Sequence, residues 1–125
     1  MTKKETLRED LQKAVDRLNE AVKLPETMIN KDATIQRFEF TFELSWKLMQ
    51  DMVNEQIPNT YGPKNVIREA ARLKIIDDPE IWFDFLKKRN LATHTYNENI
   101  ANEVYASSKK FPEQIAILLK NLEGM

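Results

Sequence analysis

Apolar residues recur along most of this chain at three- and four-residue steps, the period of a helix with one face turned inward. Leu7, Leu11, Ala14, Val15, Leu18, Ala21 and Val22 trace the first such stripe, which predicts a helix from about Thr2 to Leu24. Thr2, with Glu5 three residues on, forms a capping-box pattern, and Pro25 ends the element. A second helix is predicted from Asn30 or Asp32, either of which can cap it, to about Gln56 before Pro58. Its pattern is two-sided. Ile35, Phe38, Phe42, Trp46, Met49 and Val53 share one face, while Phe40, Leu44 and Leu48 lie opposite. Only Gln36, Glu39, Glu43, Lys47 and Gln50 form a polar stripe between them. A helix apolar on two sides is usually buried on two sides. The pattern therefore predicts packing inside a bundle and also against something else, such as a second copy of the chain.

Asn59-Thr60-Tyr61-Gly62-Pro63 reads as a turn, and Pro63 opens a short third helix to about Lys74 with Val66, Ile67, Ala70, Ala71 and Leu73 on its apolar side. Asp78 caps a fourth helix that begins at Pro79 and places Ile81, Trp82, Phe85, Leu86 and Leu91 toward the core. The last helix runs from about Glu98 to Leu122 on a stripe of Ile100, Val104, Phe111, Ile115, Leu118 and Leu122. Pro112 lies inside it and is expected to kink it or break it locally. With no repeat and no long linker, residues 1–125 are expected to form one all-α domain, an antiparallel up-and-down bundle of four to five helices. The tryptophans and phenylalanines are expected in its core rather than as base-stacking platforms.

Composition narrows the chemistry. Among 125 residues there are only two glycines, so no glycine-rich phosphate loop is possible. There is no cysteine and a single histidine, which excludes disulfides, thiolate catalysis and a histidine-rich metal site within one chain. No metal and no cofactor are expected. No apolar run is long enough to span a bilayer and no leader pattern opens the chain, so a cytoplasmic protein is expected. The net charge of −1 supplies no global attraction for nucleic acid, and any RNA binding would come from a local patch.

The candidate chemistry is concentrated in Lys87-Lys88-Arg89-Asn90-Leu91-Ala92-Thr93-His94-Thr95-Tyr96-Asn97. An imidazole is the side chain whose ordinary charge change lies near neutral pH, and it can take a proton from a hydroxyl. A guanidinium is a permanent cation whose donor fork fits phosphate oxygens. A phenol is a possible acid, nucleophile or modification site. Arg89, His94 and Tyr96 together suggest phosphodiester chemistry. Asn90 is a candidate to orient the histidine or the phosphate. Lys87 and Lys88 are candidates to steer a nucleic-acid backbone, or else a solvated helix face. Glu39 and Glu43 are either orienting groups at the cleft or a solvated, helix-pairing stripe. On a regular helix, residues five apart differ by about 140°. Arg89 and His94 can therefore converge only if the helix ends near Leu91 to Thr93, or if two protomers share the site.

The segment Arg37-Phe38-Glu39-Phe40-Thr41-Phe42-Glu43-Leu44-Ser45-Trp46-Lys47 resembles the helix-two signature of the nucleotidyltransferase substrate-binding proteins. Gly62 to Ala70 and Ile76 to Trp82 are similar to the middle of that family. Arg89 to Tyr96 resembles the Arg-x4-His-x-Tyr motif of the wider HEPN superfamily. The resemblance covers nearly the whole chain. It implies a homodimeric helical bundle working with a minimal nucleotidyltransferase encoded nearby, often as a toxin–antitoxin pair. In such pairs the HEPN member is a metal-independent ribonuclease, silenced when its partner adds AMP to the motif tyrosine. Carried over, Arg89 and His94 become catalytic candidates, Tyr96 the AMP acceptor and RNA the substrate. The alternative implied by the family name is a non-catalytic subunit that presents a substrate to the nucleotidyltransferase.

Overall fold

Side-chain caps set where the helices begin. The hydroxyl of Thr2 accepts the Glu5 N–H at 3.1 Å, and Thr27 does the same for Asn30 at 3.1 Å. Asp78 accepts the Glu80 N–H at 2.9 Å, and Asn97 the Ile100 N–H at 3.2 Å. Each satisfies a donor that a helix start leaves free. The computed structural model describes residues 1–125 as α1 (Lys3–Val22), α2 (Met28–Asn54), α3 (Pro63–Arg72), α4 (Pro79–Leu91), a short 3-10 turn (Ala92–His94) and α5 (Glu98–Glu123). The chain is all-α, as its periodicity predicts. Helix α2 starts earlier than Asn30 or Asp32, because Thr27 is the cap and the Asn30 side chain donates back to the Pro25 carbonyl at 2.9 Å. Gly62 precedes α3 at a φ of 85°, in the left-handed region that glycine tolerates and most side chains do not.

Helix α2 is the central element, in contact with α1, α3, α4 and α5. Its two apolar faces prove to be one arc. Thr34, Thr41 and Ser45 lie between them and are buried. Their hydroxyls donate to the carbonyls of Asn30, Arg37 and Phe42 at 2.7–2.8 Å, so burial leaves no polar atom unpaired. Leu48 accordingly belongs to the core of its own chain instead of a separate outer face. Leu44 is half-buried, and Phe40, 49% exposed, is what remains of that face. Trp46 sits at the edge of the core, half-buried.

The core is built around aromatic rings from three helices. Phe111 of α5 packs edge-on against Phe85 at 4.7 Å, Phe38 at 5.1 Å and Trp82 at 5.3 Å between ring centroids. Helix α5 runs unbroken through Pro112, contrary to a local break. Phe111 and Ile115 on either side are fully buried, and that anchoring outweighs the hydrogen bond the proline cannot donate. Ile81 is exposed at the start of α4 and not in the core, while Leu86, Leu91 and Ile100 are half-buried around its margin. No helix is long and apolar enough to cross a membrane.

Candidate functional site

Helix α4 stops at Leu91, within the interval that convergence of Arg89 and His94 requires. Buried Ala92 anchors the three-residue 3-10 turn that follows. The Thr95 hydroxyl donates to the Ala92 carbonyl at 3.2 Å, and the Asn97 N–H to the His94 carbonyl at 3.1 Å. These bonds reverse the chain into α5 and leave His94 and Tyr96 on the surface. His94 Nδ1 lies 3.4 Å from the Tyr96 hydroxyl, with the two rings edge to face. Tyr96 is 85% exposed.

Arg89 turns the other way, against α2. Its Nη2 pairs with Glu43, its Nη1 donates to the Asn90 side chain at 3.0 Å, and its guanidinium carbon lies 5.7 Å from the Phe42 ring centroid. Its buried Nε has no hydrogen-bond partner. The other Glu43 oxygen accepts the Trp46 indole N–H at 3.2 Å, so one carboxylate is held from both ends. Glu43 is therefore engaged by Arg89 and Trp46 and is not a free, solvated stripe residue. Trp46 was not a candidate in the sequence, although its three-residue spacing from Glu43 is the signal that could have found it.

Glu39 lies one turn before Glu43. Burial raises its pKa above the ordinary carboxylate value; the Arg89 charge lowers it, and the like charge of Glu43 adds to the rise. A carboxyl whose folded pKa is raised favours the folded state most in acid. That contribution is lost as the pH climbs from the ordinary carboxylate range through the raised value. Glu39→Gln should therefore gain stability relative to the parent chain toward neutral pH and show no gain in acid, as read from melting curves across that range.

The remaining candidates divide. Lys88 is not a steering cation. It is buried on the far side of α4, where its ammonium pairs with Asp84 at 2.9 Å and Glu103 at 3.3 Å. Burial lowers its pKa, but the bonds to the two carboxylates prevail and the net direction is upward. Lys87, Asn90 and His94 do come together, in a surface depression completed by Lys64 and by Phe83, Leu86 and Leu91. Lys64 had no sequence signal, because only the packing of α3 on α4 carries it there. Arg89 does not line this depression and is joined to it through Asn90. Tyr96 borders a different groove, on the α2–α5 side of the turn. No grouping of three or more His, Asp or Glu side chains is placed to hold a metal ion.

The arrangement can do three things: accept a proton at His94, attract phosphate at the depression, and present a phenol to an outside enzyme. A family model described as "Nucleotidyltransferase substrate binding protein like" matches residues 7–124. A Haemophilus influenzae protein named "Probable ribonuclease HepT" is 39% identical over 93 residues, a match covering 70% of this chain and 64% of the relative. A crystal structure from Thermus thermophilus matches with a TM-score of 0.83 at 31% identity, covering 90% of this chain and 98% of the other. A Haemophilus influenzae structure described as revealing the fold of a substrate binding domain of a nucleotidyltransferase matches with a TM-score of 0.70 at 30% identity, over 96% of each chain.

Proposed function

Because the chain belongs to the nucleotidyltransferase substrate binding protein like family, we propose that it is the ribonuclease of a two-component module with a minimal nucleotidyltransferase, cleaving RNA without a metal ion. The observation that carries this reading is the exposed His94 in a turn directly after the helix that holds Arg89, inside a depression carrying Lys64 and Lys87. In the reaction, His94 accepts the proton of the RNA 2′-hydroxyl as that oxygen bonds to phosphorus. The bond from phosphorus to the 5′-oxygen breaks, and the leaving oxygen takes up a proton from solvent water. The lysines hold the flanking phosphates, and Arg89 meets the developing charge on the phosphorane. In one chain Arg89 and His94 do not line the same depression, so the complete cleft is assigned to a homodimer with its two-fold axis near the His94 turn. Sedimentation at micromolar protein should show a dimer, and a monomer would remove that part of the reading. Cleavage of RNA that persists in EDTA tests the activity itself.

Tyr96 is the proposed control point. Its phenolic oxygen bonds to the α-phosphorus of ATP held by the nucleotidyltransferase, pyrophosphate leaves, and the phenolic proton passes to a base. The new phosphodiester lies next to His94, whose ring nitrogen neighbours the phenol, and there it competes with RNA by charge and by bulk. The intact mass of the chain co-expressed with its neighbouring nucleotidyltransferase should rise by one or more AMP units. Tyr96→Phe should abolish that increase. A modification that survives the substitution would place the control point elsewhere.

The alternative, a non-catalytic subunit presenting a substrate to the nucleotidyltransferase, is favoured by one observation: Arg89 is already neutralised by Glu43. Absence of cleavage of any RNA would make it the better reading.

A further inference from the structure

The turn carrying His94 and Tyr96 separates two surfaces of opposite charge. The depression on the His94 side holds Lys64 and Lys87 and no carboxylate. The groove on the Tyr96 side, of about 670 Å³ between the N-terminal half of α2 and the start of α5, holds Asp32, Glu39 and Glu98 against a single lysine. That lysine, Lys31, is engaged: its ammonium donates to the Asn102 side chain at 2.8 Å and lies 5.8 Å from the Tyr105 ring centroid. The floor is apolar, with Ile35, Ala92 and Ala101, and Met28 stands 79% exposed at its end.

We propose that this groove is the docking surface for a basic, amphipathic segment of the nucleotidyltransferase that modifies Tyr96. The inference rests on the modification of Tyr96 proposed above and adds where the enzyme sits. Two arguments select this occupant. An enzyme that brings a nucleotide to the Tyr96 hydroxyl must cover the surface around that residue, and the acidic groove is the cavity Tyr96 lines. An apolar floor rimmed by carboxylates fits a helix or strand that carries apolar side chains beside Lys or Arg. RNA is repelled by the same carboxylates. A second copy meeting this groove across a two-fold axis would set carboxylates against carboxylates. The polarity of the turn thus gives RNA and the modifying enzyme separate approaches to one loop: phosphate from the lysine side, protein from the acid side.

The test uses the full chain and the purified nucleotidyltransferase encoded beside it. Two variants alter the groove without touching the residues assigned to cleavage: Asp32→Asn/Glu98→Gln removes rim charge, and Met28→Ser removes the exposed apolar contact. Rim charges act mainly on encounter rate and salt dependence, so the double variant should bind about 10-fold more weakly and take up AMP correspondingly slowly. Added salt should weaken the parent complex and affect the double variant less. RNA cleavage by both variants should match that of the parent chain, and Lys64→Glu should leave docking intact. Parent-like affinity and labelling in both groove variants, with Tyr96 still modified, overturns the docking surface alone. A change in the sedimentation of the double variant assigns the groove to self-association and also overturns it. A parent chain that neither binds the enzyme nor gains AMP removes the groove and the Tyr96 reading together.

Discussion

His94→Ala should lower RNA cleavage by about 10²-fold or more, the usual contribution of a positioned general base, while leaving the melting temperature close to that of the parent chain. The second half of this expectation is as informative as the first. His94 is exposed, and its side chain makes one long contact, to Tyr96. Removing it opens no cavity and strands no buried partner. A loss of activity without a loss of stability therefore reports chemistry. Arg89 behaves differently. Its guanidinium is half-buried between Glu43, Asn90 and the Phe42 ring, so Arg89→Ala leaves Glu39 and Glu43 facing each other without their cation. Both stability and activity should fall, and the two effects would be confounded. Arg89→Lys keeps the charge but loses the planar fork. It should retain most of the fold and still lose cleavage, as measured by initial rates beside a thermal melt. Equal cleavage by the parent chain and His94→Ala would move the assignment to the non-catalytic subunit.

Phe111→Ala should be the most damaging single core change, costing about 3–5 kcal/mol and lowering the melting temperature by roughly 10–20 °C. Phe111 is fully buried and is the ring on which the aromatic residues of α2 and α4 converge. Its removal leaves a cavity walled by Phe38 of α2 and by Trp82 and Phe85 of α4, which cannot all collapse inward at once because two separate helix backbones hold them. It also removes the anchor beside Pro112, where α5 lacks one backbone donor. Ile115→Ala, one turn on, is a useful contrast. It should cost less because its side chain leaves the aromatic cluster intact. A Phe111→Ala melt close to that of the parent chain would show that the aromatic cluster does not hold α5 in place.

Much of this fold is legible from periodicity. The five helices follow their apolar stripes, and the cap at Asp78 and the prolines at 25 and 63 mark their ends. What misleads is residue type taken as a proxy for position. Thr34, Thr41 and Ser45 look polar in a pattern, yet their hydroxyls return to the helix's own carbonyls and are buried. That hides the continuity between the faces of α2 and makes Leu48 look like an outer residue. Lys88 misleads in the same way. It follows Lys87 in a charged run, but a helix turns about 100° per residue, which sends it to Asp84 and Glu103 on the other side. At the candidate site, the motif names Arg89, His94 and Tyr96 as candidates; α4 does end at Leu91, the condition set for convergence, yet Arg89 turns to Glu43 and stays outside the depression that holds His94. Lys64 was invisible because its proximity is tertiary. The placement of Glu43 was open in the pattern, and the structure pairs it with Arg89.

The bond between Trp46 and Glu43 also gives the chain an optical reporter. There are only two tryptophans. Trp82 is sealed in the core, where its emission should stay constant. Trp46 is half-buried, with its indole N–H tied to the carboxylate that holds Arg89. Whatever draws Arg89 from Glu43, a bound phosphate above all, alters the charge beside that indole. Intrinsic fluorescence can therefore follow the occupancy of Arg89 in unlabelled protein, and Trp46→Phe supplies the dark reference.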